Sequence, residues 1–273
     1  MSDGGRFDRN ERLFGAAGQA RIRALRVAVV GAGGLGSFVV PEAAYLGVGA
    51  MTVIDDDVVT ESSLNRMLGA VLADVPAATP KVHVVARVAR SIDPDLSVEP
   101  IKAWLTDNHA RAAIAAADLI VGCLDDDYAR LQLNEIASDA QRSLIDLASD
   151  VVDDGRHYGG RVAVALPGRR CLSCLGVLDP DELALGALSP DQRAARDRTY
   201  GVQLGALDAR GASVVTINGV VASLGMTELM VLVTGLRAPR ATLTYRGDTG
   251  AVLVNGDDPT APCYYCGRGP ARE

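Results

Sequence analysis

A glycine-rich loop between two apolar stretches is the feature that most constrains how this chain can fold. The residues GAGGLG occupy positions 31–36, directly after the β-branched run RVAVV at 26–30. Such a run is typical of a buried parallel strand, and residues 34–46 follow with a helical pattern. The spacing G-x-G-x-x-G between a strand and a helix gives a tight turn and directs unpaired N–H groups of the helix towards a phosphate. We therefore predict that a nucleotide binds at Gly31, Gly33, Gly34 and Gly36.

Strand-like and helix-like segments alternate through the first half of the chain. Thr79 and Pro80 have the residue types of a helix N-cap and of a first helical position. This alternation predicts an α/β fold with a doubly wound, mostly parallel, Rossmann-type sheet. Further strands are predicted at 51–55, 97–101, 119–123 and 143–148, and helices at about 79–91, 108–117 and 127–140.

The pattern changes after residue 150. We expect the later strands to continue the sheet in an antiparallel C-terminal part. Because no linker or internal repeat separates the segments, residues 1–273 are interpreted as one domain, with a nucleotide-binding half at 1–150 and a second half at 151–273. Strands are predicted at 161–167, 241–246 and 251–255, the last two joined by a hairpin-like turn, and helices at 180–198 and near 213–235.

Composition and charge disfavour several classes of protein. The chain carries 27 Lys and Arg against 34 Asp and Glu, and a net charge of −7 disfavours a sequence-independent nucleic-acid binder. The three histidines have no metal-ligand spacing and no G-x-S-x-G motif occurs, which disfavours His-based metalloproteases and serine hydrolases. The first residues lack the apolar core of a secretory signal, and the apolar stretch 212–236 contains Asn218 and Glu228, as a buried helix would. We expect a cytoplasmic protein that binds neither nucleic acid nor membrane.

Polar residues after the second predicted strand indicate which nucleotide is bound. Asp55 lies 19 residues past Gly36, where an acidic side chain typically contacts ribose hydroxyls. Lys81, one of only two lysines in the chain, is predicted at a helix N-terminus, where a positive charge opposes the helix dipole. A compact charge at such a point favours phosphate binding. A solvated surface lysine is the alternative interpretation.

Three consecutive carboxylates, Asp125, Asp126 and Asp127, follow a predicted strand. Open α/β sheets bind ligands at this edge, and adjacent carboxylates repel one another without a cation, so we expect Mg²⁺ bound with nucleotide phosphates. An acidic cap on the following helix is the alternative. Together with Arg66 and Lys81, Asp125 favours a triphosphate site over the nicotinamide site of a dehydrogenase.

Four of the five cysteines form two C-x-x-C pairs, Cys171 with Cys174 and Cys263 with Cys266. Four thiolates from two such pairs fit a closed, structural zinc site that would tie the end of the chain to its second half. Disulfides are the alternative, and the odd cysteine count and the lack of an export signal disfavour them. The fifth cysteine, Cys123, lies in a predicted buried strand and is interpreted as a packed thiol rather than a nucleophile.

These motifs together resemble the ThiF/MoeB/HesA superfamily, the prokaryotic relatives of ubiquitin-activating enzymes. The motifs are RFDRN (6–10), GAGGLG (31–36), D-x-D (55–57), S-S-L-N-R (62–66), Pro80-Lys81, C-L-D-D (123–126) and the two C-x-x-C pairs. The resemblance implies an adenylyltransferase that uses ATP and Mg²⁺ to activate the C-terminal carboxylate of a small ubiquitin-fold carrier protein, usually ending in Gly-Gly. It also implies an acyl-adenylate, released pyrophosphate, a homodimer, and a separate protein as acceptor or sulfur donor.

The resemblance also assigns roles to individual residues. Catalytic roles are implied for Arg9, Arg66, Lys81 and Asp125, with Arg9 reaching into the partner subunit's site. Asp125 would hold Mg²⁺, and residues 151–273 would bear the zinc and bind the carrier. Because a carboxylate is already ionised at pH 7, the reaction requires no general base. The implied nucleotide-contacting residues are the four loop glycines with Asp55, Asp57, Ser62, Ser63, Asn65, Arg66, Lys81, Asp125 and Asp126.

Departures from the family pattern bear on the substrate and the product. Ser63 stands where Asn is usual and Met67 where Gln is usual, so contacts to the substrate are expected to differ. Family members that form a thioester or persulfide carry a cysteine within the segment that corresponds to 175–262, which here has none. The adenylate is therefore expected to pass to another protein's sulfur or amine. Three other hypotheses stay open: adenylation of a peptide or small-molecule carboxylate, a catalytically silent subunit of a heterodimeric activator, and an NAD(P)-dependent dehydrogenase.

Overall fold

An eight-stranded sheet forms the centre of the part of the chain that the computed structural model describes, residues 5–152, 156–189, 192, 213–255 and 263–268. Its strands are β1 (Arg26–Val30), β2 (Ala50–Ile54), β3 (Ser97–Ile101), β4 (Leu119–Gly122), β5 (Ser143–Val152), β6 (His157–Ala165), β7 (Thr242–Arg246) and β8 (Ala251–Asn255). They lie in the order β3-β2-β1-β4-β5-β6-β7-β8. Neighbours from β3 to β5 are parallel, and β6, β7 and β8 are added antiparallel. The predicted α/β class with an antiparallel C-terminal part is confirmed.

Helices cover both faces of this sheet. One face packs against α1, α2, α3 and α7, with Val39, Val84 and Leu229 in its core, and the other against α4 and α5, with Ile114 and Leu133. The parallel strands are buried from both sides, which explains their continuous apolar sequences. The helices are α1 (Asp8–Ala24, interrupted at Gly15), α2 (Gly36–Leu46), α3 (Lys81–Ile92), α4 (Asn108–Ala116), α5 (Asp127–Asp139), α6 (Pro180–Gly186) and α7 (Val215–Thr234).

Helix α7 is the most apolar of these elements. Among the described residues it is the one helix long and apolar enough to cross a membrane, with a mean hydropathy of 1.6. It packs against α1, α2, β5 and β6, and Val221, Ala222 and Leu229 are fully buried. Its buried carboxylate, Glu228, accepts hydrogen bonds from Arg237 and from the backbone N–H of Arg240. The helix therefore lies against the sheet, as expected from its two polar residues.

The structure corrects the predicted start of α3. We expected Thr79 as the N-cap and Pro80 as the first helical residue, but the helix begins at Lys81 and Pro80 is the N-cap. The N–H of Val59 donates to the Thr79 carbonyl (2.9 Å), and the N–H of Lys81 donates to the Asp57 carbonyl (3.0 Å). These bonds hold the residues before the helix in an extended conformation, and they bring the first turn of α3 beside Asp57.

Other predicted boundaries differ by a few residues. Strands β5 and β6 are longer than expected. Strand β5 extends to Val152 and β6 begins at His157, because the two strands pair antiparallel over nine residue pairs. Helix α6 ends at Gly186, whereas a helix was predicted over 180–198. Most of the predicted helix beyond residue 189 lies outside the described residues. The predicted hairpin of β7 and β8 is confirmed.

Candidate functional site

A cavity of about 1120 Å³ opens at the carboxyl edge of the parallel strands. One part, which we call the loop end, is lined by the glycine loop and by residues after β2 and β4, among them Gly33, Gly34, Asp55, Lys81 and Asp125. The other part, the β6 end, is lined by His157, Tyr158, Gly159, Gly160, Tyr245 and Arg246. Open α/β sheets bind ligands at this edge. Because the two ends belong to one cavity, two ligands can meet inside it.

Three of the loop glycines are required by the protein's own packing. Gly31 has a φ of 98°, and a Cβ there would lie 2.5 Å from the carbonyl oxygen of Cys123. A Cβ on Gly36, where α2 begins, would lie 1.9 Å from the carbonyl oxygen of Gly31. At Gly34 the side-chain amide of Asn218 takes the space, with Nδ2 2.4 Å from the position of a Cβ. Gly36 lies outside the cavity lining, so its role is to close the turn.

Gly33 is the loop glycine that leaves room for a ligand. No atom of the described residues lies within 4 Å of the position that a Cβ would take, and Gly33 lines the cavity. Helix α2 follows with Leu35 as its N-cap, and no side chain accepts a bond from its first turn. Unpaired N–H groups at a helix N-terminus attract negative charge. The loop therefore suits a phosphate.

Asp55 ties the glycine loop to the end of β2. Its Oδ2 accepts the N–H of Ala32 (2.7 Å), and its Oδ1 accepts the N–H of Asp57 (2.8 Å). Burial raises the pKa of the Asp55 carboxyl, and the positive charge of Lys81 opposes this increase. Each carboxylate oxygen can accept a further hydrogen bond. Asp55 thus keeps the capacity to bind a ribose hydroxyl from the cavity.

The two predicted cations reach the loop end from different segments. Lys81 starts α3, and its Nζ donates to Oδ2 of Asp57 over 2.6 Å. Arg66 follows the 3-10 turn Glu61–Ser63 and donates to the carbonyl of Ser62. Lys81, Asp57 and Arg66 all line the cavity. The structure therefore brings together two positive charges that the sequence separates by 15 residues.

Of the residues next to Arg66 that were predicted to contact the nucleotide, only some line the cavity. Ser63 is buried and lines it, and its Oγ accepts the N–H of Thr60 over 3.2 Å. Ser62 and Asn65 are exposed and lie outside the lining. Ser63 also closes the turn that carries Arg66, so this serine has a structural role besides any contact with a ligand.

The three consecutive aspartates, near which we expected Mg²⁺, have different partners. Asp125 is exposed, lines the cavity and forms no hydrogen bond or ion pair with the described residues. Asp126 instead caps α5, where its Oδ1 accepts the N–H of Ala129 over 2.7 Å, and it lies outside the lining. Asp127 is buried and pairs with Arg130. The alternative interpretation, a helix cap, is therefore correct for Asp126, and Asp125 remains the carboxylate available to a cation.

A buried charged cluster beside Asp125 was not predicted. Arg130 Nε lies 3.8 Å from Asp146 Oδ1, and Arg161 Nη2 lies 3.7 Å from Asp146 Oδ2. Asp146 is fully buried, and neither of its oxygens has a hydrogen-bond partner among the described residues. Arg130 also donates to the carbonyl of Leu124, next to Asp125, over 2.6 Å. The available signal was a charged residue inside each of two buried strands, β5 and β6.

A polar group in the wall that α7 contributes was also missed. Asn218 is fully buried in the first turns of α7, and its Oδ1 accepts from Ser149 Oγ over 2.7 Å. Its Nδ2 donates to Ser213 Oγ over 3.0 Å. All three residues line the cavity. The sequence showed Asn218 as an isolated polar residue in an apolar stretch, which was the only available signal.

Comparison with known proteins agrees with this geometry. A model of the ThiF family matches residues 7–266. The chain belongs to the ThiF family.

Three known proteins illustrate the degree of similarity. The SAMP-activating enzyme E1 of Haloferax volcanii is 34% identical over 161 residues, 59% of this chain and 57% of that protein. The sulfur carrier protein ThiS adenylyltransferase of Escherichia coli is 29% identical over 231 residues, 83% of this chain and 79% of that protein. The structure of the E. coli microcin C7 biosynthetic enzyme MccB in complex with N-formylated MccA has a TM-score of 0.76 at 20% identity, over 97% of this chain and 75% of that one. The chain thus spans little more than half the length of the Haloferax relative, and the likeness to MccB shows the fold.

The second half of this ThiF-family chain brings its paired cysteines together. The Sγ atoms of Cys171, Cys174, Cys263 and Cys266 all lie within 4.8 Å of one another. Across the two pairs, Cys171 and Cys263 are 3.6 Å apart and Cys174 and Cys266 are 3.7 Å apart. Zn–S bonds of about 2.3 Å in a tetrahedron place the sulfurs roughly 3.8 Å apart, whereas a disulfide needs about 2.05 Å. The four thiols therefore fit a closed zinc site and do not form the alternative disulfides.

Cys123 lies just beyond β4, beneath the glycine loop. It is buried, and burial raises the pKa of its thiol. A thiol with a raised pKa is a poor nucleophile, since the thiolate is the reactive form. Its burial agrees with the interpretation of Cys123 as a packed thiol.

Arg9 is not brought to the cavity of its own chain. It lies exposed in the first turn of α1 and forms no ion pair with the described residues, whereas the neighbouring Asp8 pairs with Arg12 over 2.7 Å. The cavity lining does not include Arg9. Any contact of Arg9 with a nucleotide would therefore be made in another subunit.

Proposed function

We propose that this chain is an ATP-dependent adenylyltransferase that activates the C-terminal carboxylate of a ubiquitin-like or sulfur-carrier protein. The observation that carries the proposal is the single cavity that joins a phosphate-binding glycine loop to a second end at β6. Adenylation needs two substrates in one space, because a carboxylate oxygen must reach the α-phosphorus of ATP. The relatives named as activating enzyme and as adenylyltransferase support the same reaction.

The loop end is the proposed ATP site. The phosphates would lie at Gly33 and the first turn of α2, and Asp55 would accept the ribose hydroxyls. Lys81 and Arg66 would neutralise phosphate oxygens as charge develops on the leaving group. Asp125 would hold Mg²⁺, which shields phosphate charge when bound. The buried contact of Arg130 with the Leu124 carbonyl fixes the backbone that precedes Asp125.

The proposed reaction is a displacement at the α-phosphorus. A carboxylate is ionised at neutral pH and attacks without a general base. A bond forms between a carboxylate oxygen and the α-phosphorus, and the bond from the α-phosphorus to the bridging oxygen of pyrophosphate breaks. The pyrophosphate leaves with the electron pair of that bond, and the product is an acyl-adenylate. Lys81 and Arg66 contribute by positioning and by charge neutralisation, which suits a site without histidines at its loop end.

The carrier tail would enter through the β6 end, and the adenylate would pass to a separate protein. A tail ending in Gly-Gly is slender enough to extend past Tyr158 and Tyr245 towards the glycine loop. Because Cys123 is buried and residues 175–262 contain no cysteine, the acceptor or sulfur donor is proposed to be another polypeptide. We further propose a cytoplasmic homodimer with one structural zinc per chain.

A peptide carboxylate is the second candidate substrate. It is favoured by the likeness of this fold to MccB, whose structure was solved in complex with N-formylated MccA. The two candidates share the attacking group and differ in whether a folded domain precedes it. In either case the β6 end of the cavity is the proposed entry for the tail.

Isotope exchange between pyrophosphate and ATP tests the proposal. We expect exchange when the protein is incubated with ATP, Mg²⁺ and a ubiquitin-fold protein ending in Gly-Gly from the same organism. Removal of the last glycine from that carrier serves as the control and should abolish the exchange. Exchange with a short peptide but with no carrier would favour the second candidate. Nicotinamide reduction without any exchange would contradict adenylation and support a dehydrogenase.

A further inference from the structure

The wall of the cavity between its two ends contains three hydroxyl and amide side chains in an apolar setting. Asn218 lies over the glycine loop, where its amide occupies the space next to Gly34. Ser149 pairs in register with Gly160 of β6, which lines the β6 end. Ser213 lies 3.3 Å from the position of a Cβ on Gly34. The group, which we call the Ser149–Asn218–Ser213 relay, therefore spans the point where the two proposed substrates meet.

The hydrogen bonds of this relay have a direction. Ser149 Oγ donates to Asn218 Oδ1, because an amide oxygen can only accept. Asn218 Nδ2 then donates to Ser213 Oγ, because an amide nitrogen can only donate. Because Ser213 Oγ is the acceptor in this bond, its own O–H group remains a donor, and it has no acceptor among the described residues. The relay therefore ends in a hydroxyl donor on the cavity wall beside the glycine loop.

The composition of α7 argues against a purely structural role for the relay. The other fully buried polar residue of this helix, Glu228, is bonded to Arg237 and to the Arg240 backbone, which joins α7 to the segment after it. Asn218 joins α7 to β5 through Ser149, but unlike Glu228 it also donates to a serine hydroxyl on the cavity wall. A buried amide is costly unless its hydrogen bonds are satisfied. An apolar side chain of similar volume would fill the space beside Gly34 without either serine.

We propose that the Ser213 hydroxyl, held by Asn218, binds the C-terminal carboxylate of the substrate and aims one of its oxygens at the α-phosphorus. This inference rests on the proposed adenylation. A carboxylate is favoured over a phosphate because the loop end already supplies two cations to the phosphates, Lys81 and Arg66. A neutral donor also orients the attacking carboxylate without neutralising it, so the nucleophile keeps its charge. Asn218 and Ser149 act as positioning residues that fix the donor.

The test compares apparent KM values in pyrophosphate exchange, with a ubiquitin-fold protein ending in Gly-Gly or a peptide with a free C-terminus as the probe. For Ser213→Ala we expect the KM of the carboxylate substrate to rise, or its kcat to fall, about three- to tenfold, as the loss of one hydrogen bond implies. The KM of ATP should stay within twofold. Ser213→Thr, which keeps a hydroxyl, should restore most of the activity. Ser223→Ala is the matched control, since Ser223 lies on α7, the helix that carries Asn218, and donates to Glu42 outside the cavity lining.

The positioning role of Asn218 is tested by combining variants. Asn218→Ala and Ser213→Ala should each have the effect described, and the double variant should be little worse than either single one, because residues in one network are not additive. Thermal unfolding of each variant shows that the fold is retained. Equal increases in the KM of ATP would assign the relay to the nucleotide and overturn the inference. Unchanged KM and kcat values for Ser213→Ala would also overturn the inference. If the wild-type protein shows no substrate-dependent pyrophosphate exchange, the proposed function itself is rejected.

Discussion

Lys81 Nζ lies 2.6 Å from Asp57 Oδ2 at the loop end of the cavity, and the two side chains differ strongly in exposure. The lysine side chain is 15% exposed and the aspartate side chain is 52% exposed. An ion pair with a half-exposed partner contributes only about 0–1 kcal/mol. Lys81 can therefore exchange Asp57 for a phosphate at little energetic cost. Asp57 therefore positions the lysine at the cavity, and its ion pair with Lys81 is weak enough for a nucleotide phosphate to replace it.

This difference predicts unequal effects of the two substitutions. Lys81→Met should reduce pyrophosphate exchange by roughly 10²-fold or more, because it removes a charge that stabilises the leaving group. Asp57→Asn should keep exchange within roughly tenfold and change the free energy of unfolding by less than about 1 kcal/mol. Exchange assays and denaturant titration of the two variants measure both quantities. Equal losses of exchange would mean that Asp57 itself contacts the nucleotide or its Mg²⁺.

The neighbouring aspartates Asp125 and Asp126 provide a matched pair of variants. Asp125→Ala should abolish Mg²⁺-dependent exchange and leave stability almost unchanged, because its exposed carboxylate forms no hydrogen bond or ion pair with the described residues. Asp126→Ala should retain exchange and lower the free energy of unfolding by about 1 kcal/mol, since it removes the N-cap of α5. The opposite pattern, with exchange lost only in Asp126→Ala, would remove Asp125 from the proposed Mg²⁺ site.

The sequence predicted those parts of the site that depend on local spacing. The glycine loop between β1 and α2 follows from a turn that needs a positive φ at Gly31 and a close approach at Gly36. The two C-x-x-C pairs follow from the geometry of a metal knuckle. The loop glycines are neighbours in the chain, and so are the two cysteines within each pair, so these patterns can be recognised without a structure.

The missed parts depend on contacts between distant residues. Ser149 and Asn218 are 69 residues apart and meet because α7 packs across β5. Asp146 and Arg161 meet because of the antiparallel register of β5 and β6, in which Ala148 lies opposite Arg161. For Asp126 the sequence left two roles open, a contact in the nucleotide site or a cap on the helix predicted at 127–140. The helix does begin at Asp127, and the bond from the Ala129 N–H to Asp126 shows the cap.

The four-cysteine site predicts one bound Zn²⁺ per chain. Elemental analysis of freshly purified protein should show a one-to-one ratio, and Cys266→Ser should lower it together with the Tm, because metal binding is coupled to folding. Cys123→Ala is the control, and its zinc content should equal that of the wild type, since Cys123 lies outside the cluster. If freshly purified wild-type protein contains no zinc, or if the loss of zinc leaves its Tm unchanged, the assignment is contradicted.

Asp74 and Arg87 predict a specific dependence of stability on pH. Asp74 accepts two hydrogen bonds from Arg87 (3.1 and 2.8 Å), which lower the pKa of the buried Asp74 carboxyl from 3.8 to about 2. Because the native pKa is depressed, this contribution of up to about 2 kcal/mol is present above pH 4 and is lost as the pH falls to 2.

Denaturant titrations of Asp74→Asn at several pH values check this expectation. The variant should be less stable than the wild type at pH 7, and the difference should shrink steadily between pH 4 and pH 2. Arg87→Met should have the same pH profile, because it removes the other partner of the same pair. Asp118→Asn is a useful comparison, since the Asp118 side chain is 34% exposed against 6% for Asp74, and the loss of its pair with Arg26 should have a smaller effect. If Asp74→Asn lowers the free energy of unfolding by the same amount at every pH, the packing of the side chain and not its charge is responsible for the stabilisation.

Arg9 connects the proposed chemistry to the oligomeric state. Arg9 lies in the first turn of α1, at the end of that helix far from β1, and it is exposed, outside the cavity lining and without an ion-pair partner among the described residues. A guanidinium supplied by another subunit could neutralise charge on the pyrophosphate leaving group, for which its planar fork is well suited.

The in-trans role is tested by subunit mixing. Arg9→Ala and Lys81→Met should each be inactive alone, because every site in either homodimer lacks one of the two charges. In a mixed dimer, the site built on the Arg9→Ala chain keeps its own Lys81 and receives an intact Arg9 from the Lys81→Met partner, so up to one site in two regains activity. Mass spectrometry of differently tagged subunits confirms that exchange has occurred. Mixed dimers without activity would mean that Arg9 acts within its own chain or has no role. Full activity of the Arg9→Ala homodimer would show that Arg9 has no role.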